Sequence, residues 1–178
     1  DLLIIYDAAL DVFSNGERKL PAASYVLRLA QTMISWISTP TAEGTLYDVD
    51  LRLRPEGQAG AIATSIDRLA TYFDRDAWIW EKQALTKARP IAGDTGLSEK
   101  IQQLINNIVN HNHPKECLVT AISDMHQRIR KQQKPASQWD LRQITGGLTD
   151  IDLLIQAWRL QYGALFSDSA QPTQVILQ

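Results

Sequence analysis

At 178 residues the chain is one large domain or two small ones, long enough to bury roughly 70% of its unfolded surface. A net charge of −2 with 21% charged residues offers no basic surplus for nucleic acid, and no apolar run approaches the ~20 residues of a membrane span. Cys117 is the single cysteine, which excludes an intrachain disulfide and a cysteine-rich zinc site and points to a reducing, cytoplasmic setting.

The chain opens at Asp1, without a methionine, directly into the apolar run 2–6, and is therefore read as a fragment. That run is apolar on both faces, as expected of a strand in a covered sheet, and Asp7 closes it. Ser14-Asn15-Gly16 signals a turn, and Pro21 suits the first turn of a helix running to Ser38. Tyr25, Leu29, Ile34, Trp36 and Ile37 are predicted to lay that helix on the sheet.

A loop over 40–44 leads into Tyr47-Asp48-Val49-Asp50-Leu51-Arg52-Leu53-Arg54-Pro55. Strict alternation predicts a half-buried strand, with Tyr47, Val49, Leu51 and Leu53 inward and Asp48, Asp50, Arg52 and Arg54 sharing the other face. Two readings fit that face. Carboxylates beside guanidiniums suit a divalent metal next to a phosphate chain; they equally suit an exposed strand laced with Asp–Arg pairs.

Residues 56–60 read as a turn and 61–66 as a further strand, with Ser65 capping a helix that begins near Asp67. Helix continues, with a break near Asp76, through Trp78, Trp80, Glu81 and Leu85 to Arg89, where Pro90 stops it. The two tryptophans are expected in the core, and Glu81 and Gln83 among them need polar partners.

Beyond Gly93-Asp94 the pattern is helical throughout. Leu97, Ile101, Leu104, Ile105 and Ile108 form one stripe, and Leu118, Ile122, Met125 and Ile129 form another behind a break at 110–114. The far face of the second carries Arg128, Arg130, Lys131 and Lys134 and reads as solvated surface. His111 and His113 have no carboxylate or cysteine at metal spacing, and His126 reads as a polar helix edge. Residues 138–142 suggest a short extended piece. Gly146-Gly147 is a turn that falls short of a phosphate-binding fingerprint, and a helix follows over 148–162 with Ile151, Leu154, Ile155, Trp158 and Leu165 toward a core.

Four motifs in order, Asp1-Leu2-Leu3-Ile4-Ile5-Tyr6-Asp7, Leu46 to Pro55, Trp80-Glu81-Lys82-Gln83-Ala84-Leu85 leading into Ala88-Arg89-Pro90-Ile91-Ala92-Gly93-Asp94, and Gly146-Gly147-Leu148-Thr149-Asp150-Ile151-Asp152, carry a resemblance. Together they resemble the bifunctional glutamine synthetase adenylyltransferase/adenylyl-removing enzyme family, from Asp1 to about Tyr162. The resemblance implies an α+β fold: a DNA polymerase beta-like nucleotidyltransferase domain, incomplete at its N-terminus, over 1–112, then a helical bundle over 113–178.

It implies transfer of AMP from ATP to a tyrosine of glutamine synthetase, with Mg²⁺ as cofactor. Phosphorolytic removal of AMP is the alternative, or a non-catalytic helical module binding glutamine synthetase or the PII signal protein. The third motif is more similar to the adding half of the family. By the same resemblance Asp1 and Asp50 are the metal ligands and catalytic carboxylates, the companion Gly, Ser and first Asp of the family motif being absent from this chain. Arg52 and Arg54 are implied at the triphosphate, Arg54 with a structural alternative because Pro55 follows it. Glu81, Lys87 and Arg89 are implied along the cleft, and Asp150 and Asp152 as residues that fix their helix against the catalytic part. On this reading the segment is inactive by itself, and neither nucleic acid nor a membrane is a partner.

Overall fold

The computed structural model describes residues 1–7, 13–45, 47–111, 113–132 and 135–163. Its elements run β1 (Ile4–Tyr6), α1 (Ala22–Ser38), β2 (Ala63–Ser65), α2 (Ile66–Arg75), α3 (Ile79–Leu85), α4 (Thr95–Val109), α5 (Lys115–Gln132) and α6 (Leu148–Tyr162). This is a helix-dominated mixture with a two-stranded sheet, compatible with an α+β class. The chain separates into two compact units, Asp1–Asp76 and Ala77–Gln178, so the division falls ahead of the boundary at 112 drawn from the sequence.

In the first unit β1 and β2 pair in parallel, with Ile4 opposite Ala63, Ile5 opposite Thr64 and Tyr6 opposite Ser65. Parallel neighbours need a crossover, and the long connection through α1 supplies it. Ser65 ends β2 and caps α2, its hydroxyl accepting the Arg68 N–H at 3.3 Å. Leu69 and Phe73, one helical turn apart, are buried with Ala63. Helix α1 adjoins both strands by a face that includes Ile34 and Ile37, as expected, but not Tyr25, Leu29 or Trp36. Ala30 is its buried position, while Tyr25 and Leu29 are exposed and Trp36 is 77% exposed. The helix carries two apolar stripes, and Val26, Leu27, Ala30, Ile34 and Ile37 form the inner one.

The alternating segment 47–54 is not a strand. Tyr47, expected in the core, is exposed. From Leu51 onward the main chain satisfies itself locally: the Arg54 N–H donates to the Leu51 carbonyl at 3.3 Å and the Gly57 N–H to the Arg54 carbonyl at 2.8 Å. The ladder of β1 is with β2, and residues 52–54 are wound into turns, so alternation here does not mark a pleat.

In the second unit α3 contacts α4, α5 and α6. It ends at Leu85, short of Arg89, because Thr86, Lys87 and Ala88 close tight turns back onto Gln83, Ala84 and Leu85. Its tryptophans do not form the core: Trp78 is 70% exposed, whereas Glu81, Gln83 and Leu85 are buried. The inward face is the one bearing residues 81 and 85, a turn apart, and the polar pair finds the partners it needs. Glu81 accepts the Trp78 N–H at 2.8 Å, and the Gln83 amide donates to the Leu153 carbonyl at 3.2 Å.

Asp94 caps α4 through the Leu97 N–H, and Ile105 and Val109 are its buried residues. Leu118 is buried on α5, and Ile155 and Leu160 on α6. Ile151, Leu154 and Trp158 are exposed, a departure from expectation, and Leu165 and Lys134 lie outside the described residues. Residues 138–142 are wound into turns around Asp140, whose carboxylate accepts the Ala136 and Gln143 N–H groups, so no extended piece forms.

That turn packs onto Gly147. A Cβ there would lie 2.5 Å from the Leu141 carbonyl oxygen and 2.8 Å from that of Ile144. We expect Gly147→Ala to cost about 1–3 kcal/mol in urea unfolding, the usual penalty for forcing atoms into filled space. Gly16→Ala, with nothing within 4 Å, should change stability by less than about 0.5 kcal/mol.

Candidate functional site

The first unit holds the acidic and basic residues singled out above, and a single main-chain bond organises them. The Leu2 N–H donates to the Asp50 carbonyl at 2.9 Å, joining the segment that carries Asp1 to the one that carries Asp50. The Asp50 carboxylate then folds onto its own chain. Oδ1 accepts the Arg52 main-chain N–H at 2.8 Å, while Arg52 Nε lies 2.8 Å from Oδ2 and Nη2 also reaches that oxygen. Hydrogen bonds from the Arg52 side chain and main chain hold the Asp50 carboxyl at about 2, below its ordinary 3.8. Asp50 in turn raises the Arg52 pKa.

Arg54 points elsewhere. Its Nε donates to the Gly60 carbonyl at 3.0 Å, Nη2 to that of Gln58 at 3.1 Å and Nη1 to that of Leu51 at 3.4 Å. Asp48, Asp50, Arg52, Arg54 and Gln58 border an open depression of about 360 Å³. Gln58 was not singled out from sequence; its place follows from the 3-10 turn Gly57–Ala59, which alternation does not reveal. The loop is also fastened on its outer side, where Arg68 of α2 meets Glu56 at 2.7 Å.

The remaining candidates belong to the second unit. Glu81 is 3% exposed and holds the start of α3, and Lys87 donates to Asp152 of α6 at 2.7 Å. Arg89 is exposed. Asp150 gathers the densest set of partners: the Gly146 N–H at 2.7 Å and Arg130 on Oδ2, and His126 Nε2 at 2.8 Å on Oδ1. The same His126 ring nitrogen lies 3.3 Å from Arg130 Nε, so the imidazole sits between the guanidinium and the carboxylate. Burial pushes the Asp150 carboxyl up, but Gly146, His126 and Arg130 outweigh it and hold the pKa below its ordinary value. These contacts join α5 to α6, which makes Asp150 a fixing residue within its unit.

Asp1 and Asp50, the metal ligands implied by the resemblance, both lie in the first unit. Among the described residues no group of three His, Cys, Asp or Glu side chains gathers in a way that could hold an ion. Two carboxylates fit Mg²⁺ in donor type, since that ion is commonly held by one or two carboxylates together with water and substrate phosphates.

The family model for glutamate-ammonia ligase adenylyltransferase matches residues 1–104. The chain belongs to that family. It is 39% identical over 157 residues to the bifunctional glutamine synthetase adenylyltransferase/adenylyl-removing enzyme of Mesorhizobium japonicum, covering 88% of this chain and 16% of that protein. Proteins of the same name from Bartonella quintana (34% identical, 99% and 18% covered) and Bradyrhizobium (37% identical, 92% and 17% covered) are likewise similar. The chain thus spans about one sixth of the length of these adenylyltransferase relatives, 16–18%. Among the described residues no helix is long and apolar enough to cross a membrane.

Two predictions test these contacts. In a ¹³C carboxyl titration Asp50 should show a midpoint near 2, rising toward 3.8 in Arg52→Gln. Asp150→Asn should cost about 1–3 kcal/mol near neutral pH, because it weakens a carboxylate with several donors. A lowered folded-state pKa stabilises above the ordinary carboxylate value and loses that contribution as pH falls through the folded one. The gap between wild type and Asp150→Asn should therefore close on acidification, as read by urea unfolding at a series of pH values.

Proposed function

We propose that this chain is part of a glutamine synthetase adenylyltransferase, transferring AMP from ATP to a tyrosine hydroxyl, and that its first unit belongs to a DNA polymerase beta-like nucleotidyltransferase domain. The observation that carries this is the bond from Leu2 to Asp50, which joins the segment bearing Asp1 to the one bearing Asp50, the latter lining a depression edged with guanidinium groups. The names of the relatives, matched over most of this chain, support the same reading.

Asp1 and Asp50 would hold Mg²⁺, which when bound supplies neutralisation of phosphate charge and polarisation at the reacting phosphorus. Arg52 is the side chain suited to the triphosphate, since its planar fork matches phosphate oxygens as well as it matches the carboxylate it now holds. A shift of Arg52 from Asp50 to phosphate would free the Asp50 carboxylate oxygens to hold the metal. Asp50 thus orients, and Arg52 both restrains it and binds. Glutamine synthetase is the protein substrate on this reading, and PII a regulatory partner.

The test uses a full-length family member carrying this chain, incubated with unmodified glutamine synthetase, Mg²⁺ and ATP labelled in the α-phosphate. Asp50→Asn should lower AMP incorporation at least about 100-fold while the fold persists by circular dichroism. Incorporation at a near wild-type rate would show the metal and catalytic assignment to be wrong. Release of ADP from adenylylated glutamine synthetase on addition of phosphate, without incorporation, would assign the chain to the removing reaction instead. Binding of glutamine synthetase or PII indifferent to nucleotide, with neither reaction, would favour an interaction module.

A further inference from the structure

The segment 51–60 is wound more tightly than a surface connection requires. Glu56 sits in the left-handed region at φ 64°, a conformation that carries strain in a residue with a side chain, and Gly57 follows at φ 55°. Pro55 is buried, and a Cβ on Gly60 would stand 1.9 Å from the Pro55 carbonyl oxygen. Main-chain bonds Gly57 to Arg54, Ala59 to Glu56 and Gly60 to Gly57 turn the chain back on itself. The carbonyls of Leu51, Gln58 and Gly60 all accept from one guanidinium, that of Arg54. A planar fork with donors fixed in direction can serve three carbonyls together; an ammonium is a point charge on a flexible stem.

We propose that Arg54 is a positioning residue: by binding the carbonyls of Leu51, Gln58 and Gly60 it holds the 51–60 loop in the form that presents Asp50 and Arg52, and it acts on nucleotide only through them. This rests on the adenylyl-transfer reading for its nucleotide consequence, but the strap itself is independent of that reading. Arg52 and Arg54 therefore differ in kind although two residues apart. A phosphate ligand can be replaced by lysine with partial retention, because charge is what phosphate responds to most. A strap across three carbonyls cannot.

The experiment uses the full 178-residue chain and two readouts. Without nucleotide, amide hydrogen exchange is followed at Arg52, Gly57 and Gly60. With nucleotide, MnATP binding is measured by calorimetry, manganese serving as the probe for magnesium. Arg54→Lys and Arg54→Gln should both speed exchange at all three amides about tenfold, since the strap's hydrogen bonds are lost in either. They should weaken MnATP to the same extent. Gly60→Ala, which keeps the Arg54 charge, should reproduce both effects. Arg52→Lys should leave exchange at Gly57 and Gly60 unchanged.

Unaltered exchange at Arg52 in Arg54→Lys overturns the proposal, because the loop would then keep its form without the guanidinium. So does retention of MnATP affinity in Arg54→Lys with loss in Arg54→Gln, the pattern of a direct phosphate ligand. If the wild-type chain binds no MnATP while the exchange effects appear as stated, the strap stands and it is the nucleotide reading that fails.

Discussion

The hydrogen bond from the Leu2 N–H to the Asp50 carbonyl is what makes the first unit a candidate site and not merely a helix on a strand pair. β1 spends its own ladder on β2, so the segment around residue 50 reaches it through this contact just ahead of the strand. The consequence is geometric. Asp1 precedes the donor residue, and the accepting residue is Asp50 itself, with Arg52 two positions on, so side chains of the charge type that phosphate chemistry needs lie close to the bond in sequence. They are set by main-chain atoms, which hold position better than flexible side chains hold one another. The rest of the site elaborates this: a carboxylate that turns to meet Arg52, and a loop that turns to meet Arg54.

Alternation placed Arg52 and Arg54 on one face as if they were equivalent, yet the structure divides them. Arg52 is exposed and grips a carboxylate whose charge it stabilises; Arg54 is half-buried among carbonyl oxygens. Exposure explains the difference. A guanidinium near water can exchange one anion for another at little loss. One turned among main-chain carbonyls has replaced its hydration with fixed partners and loses them if it moves.

Most element positions were legible in the sequence, because the signals that fix them are local. Ser65 as a cap, the break at Asp76, the stop before Pro114 and the helix over 148–162 each depend on a few neighbouring residues, and each appears as expected. What was not legible depends on partners far away in the chain. The period of two over 47–54 suits a strand, but a strand exists only where a neighbour completes its ladder, and beyond the Leu2–Asp50 bond no ladder to this segment forms among the described residues. On α1 two apolar stripes share one helix, and composition favoured the larger side chains while packing favoured the face with Ala30. The tryptophans of α3 misled in the same way: size suggested burial, and the buried places went to Glu81 and Gln83, whose partners lie on the main chain of Trp78 and of Leu153. For the site, Asp50 and Arg52 were visible as charges. Their mutual grip, and the hold of Arg54 on Gln58 and Gly60, needed the turn geometry.

The glycine pair ahead of α6 has one more consequence. A helix begins with N–H groups that no residue of its own can satisfy and with a partial positive charge, which is why such ends attract phosphates. Here Gly146, left-handed at φ 76°, aims its N–H at the carboxylate of Asp150 in the first turn, and Arg130 and His126 surround the same group. The helix thus brings its own anion. The Leu148 and Thr149 N–H groups are likewise taken, by the Leu141 and Arg142 carbonyls, so an incoming phosphate would find the amides of this Gly-Gly turn already engaged.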